Sequence, residues 1–166
     1  MENSHLVRYI NDHLAGSVTA IELLDRLIEE PPDAADREFL PMLRNEIEAD
    51  QQVLKQLLNE VESSENLVRK AAGWLAEKAI GLKLRWDDPD NDGFRLFEAL
   101  ELLALGIWGK RALWRALATL SPMPPAIQRL DLEGLQQRAD GQHAAVERRR
   151  LLAAREAFSE SGAGRR

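Results

Sequence analysis

The spacing of apolar residues is the strongest constraint on how this chain can fold. They recur three and four positions apart through four long stretches, the repeat that gathers side chains on one face of an α-helix. The first stretch predicts a helix from Ser4 to Glu29 with the seam Val7, Ile10, Leu14, Ser17, Ile21, Leu24 and Ile28, ended by Pro31 and Pro32. The second predicts Asp36 to Val61 with Phe39, Leu43, Ile47, Asp50, Leu54, Leu57 and Val61. Pro41 must then lie in the first turn or mark a kink. A shorter helix starts at Ser63, a natural cap, and carries Leu67, Ala71, Trp74 or Leu75, Ala79 and Leu82. A fourth runs from Phe94 to Leu120 through Phe97, Leu100, Ala104, Ile107, Arg111 and Trp114, and SPMPP at 121–125 stops it. A fifth spans Leu132 to Phe158 with Leu135, Ala139, Gln142 or His143, Val146, Ala153 and Ala157. No strand or repeat is evident. Residues 1–160 form one helical domain on this reading, and 161–166 a disordered tail.

Composition narrows the function classes. Leu, Ala, Glu and Arg dominate, which favours helix. A net charge of -6 disfavours nucleic acid as a partner. The absence of cysteine removes thiolate and disulfide chemistry. The N-terminus has no apolar core of signal-peptide type, and no stretch approaches a membrane span. The expectation is a cytoplasmic protein with no membrane partner. No nucleophilic triad or phosphate-cradling glycine loop is present.

Four helices of about 25 residues, or ~40 Å, with a shorter connecting helix between the second and third of them, make an all-α pattern. With stretches such as YINDHLAGS and LGIWGKRALWRAL, the chain resembles the ferritin-like superfamily, over nearly its whole length and through its architecture. The resemblance implies a ferritin-like four-helix bundle with an additional crossover helix, here the stretch from Ser63. It also points to a di-metal site, built in that class from a Glu on each of two helices and Glu-x-x-His on the other two. This sequence has no Glu-x-x-His; Asp140-x-x-His143 is the nearest counterpart. The metal candidates are therefore His13, Asp50, Glu101, Asp140 and His143, for iron, manganese or zinc. If the fourth predicted helix runs down the bundle, His13, Asp50, Asp140 and His143 lie nearly level, facing Trp108 or Arg111. Glu101 is then displaced by about 12 Å. The reading favoured over a metal is a buried His–Asp hydrogen bond at the level of His13 and Asp50. The remaining alternative is that His143 faces solvent.

Three further features stand apart. Asp88, Asp90, Asp92 and Gly93 match the opening of a calcium loop, but its twelfth position is Ala99, so helix capping by Asp92 is favoured over calcium. Glu101, Arg150 and Glu147 suggest a second polar level. Arg148, Arg149 and Arg150 point in three directions and read mainly as a solvated face. Gly16, Gly73, Gly81, Gly106 and Gly109 lie inside predicted helices, each at a cost of about 1 kcal/mol relative to Ala, which suggests close helix approach or a self-association surface. The leading functional expectation is a non-enzymatic structural or interaction protein with a degenerate metal site, acting as a homo-oligomer or with a protein partner. The alternative is a metal-binding protein with a redox or storage role.

Overall fold

A computed structural model of the chain describes residues 4–29, 31, 33–61 and 92–160. Its helices are α1 (Ser4–Glu29), α2 (Asp36–Val61), α3 (Asp92–Leu117), a single turn α4 (Pro125–Gln128) and α5 (Leu132–Glu160). No strand occurs among the described residues. The predicted bounds of α1 and α2 are met, and α3 begins two residues earlier and ends three earlier than expected. Pro41 falls in the second turn of α2, and the helix continues through it. α3 ends at Leu117, ahead of SPMPP at 121–125, and the last proline of that stretch starts α4.

The chain folds as two helical hairpins. α1 packs along α2, and α3 packs along α5. Two apolar clusters fill the space between them. One joins Leu24 and Leu27 of α1, Leu40 and Leu43 of α2, Leu96 and Leu100 of α3, and Val146 and Ala153 of α5. The other joins Val7 and Ile10, Leu57 and Val61, Leu113 and Trp114, and Leu135. The ends of α2 and α3 thus share one cluster and their starts share the other, so these two helices run parallel. The crossover helix expected from Ser63, and the calcium-loop residues Asp88 and Asp90, lie outside the described residues. So does the 161–166 tail.

Aspartates set the helix starts. Asp131 Oδ1 accepts the Gly134 backbone N–H at 2.9 Å, and Asp131 O accepts Leu135 N–H at 3.0 Å, which caps α5. Asp33 Oδ1 does the same for Asp36 N–H at 2.9 Å ahead of α2. Replacing Asp131 by Ala removes one acceptor from four otherwise unpaired helix donors. Urea unfolding should show Asp131→Ala destabilised by about 1 kcal/mol with an unchanged m-value.

Candidate functional site

The buried seam of α2 contains two carboxylates, Asp36 at its start and Asp50 at its middle. Asp50 lies where Ile47 and Leu54 set the apolar repeat, and it is only 1% exposed. A carboxylate there must be matched by donors. Lys110 of α3 places Nζ 2.5 Å from Asp50 Oδ2. Gln142 of α5 accepts from the same ammonium through Oε1 at 2.5 Å and donates to Asp50 Oδ2 through Nε2 at 3.3 Å. Arg138, one turn earlier on α5, faces Asp50 Oδ1 as an ion pair without hydrogen-bond geometry. Burial holds the Lys110 ammonium below its usual range, and the Asp50 carboxylate opposes that shift. The cluster joins three helices through one side chain.

A cavity of about 230 Å³ opens above this cluster between α1 and α3. Its walls carry Asp12, His13, Gly16 and Ser17 on one side and Gly106, Ile107 and Gly109 on the other. Asp50 and Lys110 form part of its floor. Gln51 donates to Ser17 Oγ at 3.0 Å and accepts from Lys55 at 2.7 Å, tying α1 to α2 beside the cavity. His13 stands edge-on to the Tyr9 ring, with centroids 4.8 Å apart, and makes no hydrogen bond among the described residues. Burial holds its imidazole below the ordinary 6.5, against the Asp12 carboxylate.

The level predicted for the polar centre is where Asp50 stands, but its partners differ. His13 and Asp50 line one cavity without bonding to each other, which replaces the expected His13–Asp50 hydrogen bond. Lys110, not Trp108 or Arg111, faces Asp50; Trp108 is 59% exposed and Arg111 pairs with Asp140 near the surface at 2.5 Å. Gln142 rather than His143 points inward. Glu101 pairs with Arg150 at 3.0 Å and Arg150 with Glu147 at 2.7 Å, as the second polar level predicts. Among the described residues, no three His, Asp or Glu side chains gather to hold an ion.

The arginine run on α5 corrects the solvated-face expectation. Arg149 is buried and grips Asp36, itself 0% exposed, through Nε at 2.7 Å and Nη2 at 2.8 Å. Its Nη2 also reaches Asp33 at 3.0 Å, so α5 holds the start of α2. The Asp36 bond raises the Arg149 pKa further, against burial. Lys110 and Arg149 both carried a sequence signal. Ile107, Lys110 and Trp114 are as regular a seam as Ile107, Arg111 and Trp114, and Arg149 falls three after Val146 and four before Ala153. Comparison with protein-family models, curated proteins and solved structures finds no match for this chain.

Neighbouring arginines should behave differently under mutation. Arg149→Met strands the Asp36 carboxylate in the core and should cost about 3–5 kcal/mol in urea unfolding. Arg150→Met removes a more exposed, screened pair and should cost under about 1 kcal/mol. His13 supplies a pH dependence. Its folded pKa is below the unfolded 6.5, so its contribution is present above 6.5 and lost as pH falls through the folded value. Melting followed downward from neutral pH should show the wild type losing more stability than His13→Gln.

Proposed function

We propose that this protein is a non-enzymatic helical bundle of ferritin-like architecture that works by assembling with itself or with another protein. Its polar centre is structural. The observation that carries this reading is the ammonium of Lys110, held 2.5 Å from both Asp50 and Gln142. A metal site in a bundle needs carboxylates free to coordinate an ion at an open position. Here the central carboxylate already has a fixed cation, and Glu101 and Asp140 are turned to Arg150 and Arg111. The parallel course of α2 and α3 supports the ferritin-like architecture, because it calls for a connection that crosses the bundle. No helix among the described residues is long and apolar enough to cross a membrane, which agrees with the cytoplasmic assignment proposed here.

A metal-binding bundle with a redox or storage role is the second reading. Half-buried His13 favours it, as an imidazole without a hydrogen-bond partner among the described residues, on a cavity wall shared with Asp12 and Asp50. Calorimetric titration of untagged, chelator-treated protein with zinc, manganese(II) and anaerobic iron(II) separates the two. The structural reading predicts no saturable binding. A stoichiometric site lost in both His13→Ala and Asp50→Asn would establish the metal-binding reading instead.

A further inference from the structure

Protein interiors pack as densely as organic crystals, so a void larger than a few waters is uncommon. The cavity above the Asp50–Lys110 pair has a volume of about 230 Å³. An apolar cavity of about 150 Å³ stays dry and takes up benzene, so by that measure this one has room for about nine heavy atoms. Its sides are apolar, built from Ala20, Ile47, Leu54, Leu103 and Ile107. Gly16 and Gly106 also line it, and both are exposed. A Cβ at either would meet nothing within 4 Å, so each glycine leaves room that a side chain could occupy. Polar groups are few. Asp50 and Lys110 neutralise each other at the floor. His13 presents an imidazole with no hydrogen-bond partner among the described residues. Burial keeps that ring below its ordinary 6.5, so near neutral pH it is uncharged, with one N–H donor and one bare nitrogen. A Cβ at Gly109 would stand 4.0 Å from His13 Cε1, so the ring edge faces α3.

We propose that this cavity binds a small neutral molecule, a hydrocarbon body of about nine heavy atoms carrying one hydroxyl that bonds to His13. The volume sets the size, the apolar walls set the body, and the imidazole sets the polar group. A hydroxyl both donates and accepts, so it suits either nitrogen of His13. A carboxylate on the ligand would meet Asp12 and Asp50, with only Lys110 to offset them, and that ammonium already has two acceptors. An ammonium on the ligand would leave water for apolar walls beside Lys110. Charge is therefore selected against. The walls come from α1 and α2 on one side and α3 on the other, so the bound molecule bridges the two hairpins. This site goes beyond the assembly reading and does not depend on it, nor on any metal.

Calorimetric titration of the full-length, chelator-treated protein near neutral pH tests this, with p-ethylphenol as the probe. Ethylbenzene, p-toluate and p-methylbenzylamine are the comparators. The expected result is one site for p-ethylphenol with a dissociation constant below about 1 mM. Ethylbenzene should bind about fivefold more weakly, the worth of one hydrogen bond, and both charged compounds more weakly still. In His13→Phe, which keeps a ring beside Tyr9, p-ethylphenol should weaken to the ethylbenzene value while ethylbenzene is unchanged. Gly109→Leu sets a side chain against His13 and should abolish binding of both, with the melting temperature unchanged or higher because leucine is the better helix former. No saturable binding of p-ethylphenol to folded wild type would overturn the proposal. So would equal binding of p-ethylphenol and ethylbenzene, tighter binding of either charged compound, or undiminished binding to folded Gly109→Leu.

Discussion

The Asp50 carboxylate dictates much of the arrangement around it. Removing an ion from water costs several kcal/mol, and its partners must be placed accurately to offset that. Asp50 draws partners from both helices of the opposite hairpin: the donors Lys110 of α3 and Gln142 of α5, and Arg138 of α5 as an ion pair. A slip of one residue in either helix would turn these groups away. The apolar clusters above and below tolerate such slips far better, since leucine packs against leucine in several registers. Arg149 and Asp36 repeat the device nearer the start of α2. The α2–α5 seam is thus fixed by two buried charge contacts, and hydrophobic burial supplies the bulk of the attraction.

Helix positions were legible because periodicity, prolines and capping aspartates agree. The α2 seam was read almost residue for residue, with only Phe39 half-buried rather than buried. The second polar level was also readable, since Glu101, Glu147 and Arg150 can be matched by height alone. Rotation about a helix axis was harder. On α3, an apolar surface that continues around the helix gives no reference direction, and the choice between Lys110 and Arg111 was one of about 100°. On α1 the true core line drifts to Leu23 and Leu27, leaving Ile21 and Ile28 only partly buried. The glycines show a different limit. Their sequence positions suggest close packing, yet a Cβ at Gly16 or Gly106 would meet nothing within 4 Å.

These features bear on function through what the centre is able to do. A carboxylate bonded to an ammonium and facing a guanidinium has little freedom to coordinate a metal or accept a substrate proton. The half-buried imidazole of His13 keeps more of that freedom, but it stands apart from the charge cluster.

The central claim is that Asp50 and Lys110 act as a coupled pair that fixes the hairpins against each other. A double-mutant cycle measures this directly, from urea unfolding of the wild type, Asp50→Leu, Lys110→Met and the double variant. The account predicts that each single change is strongly destabilising, because it leaves the other charge buried. The double variant should recover much of that loss, with a coupling energy of about 2 kcal/mol or more. Additive effects, with the double variant as unstable as the two single losses combined, would contradict the account.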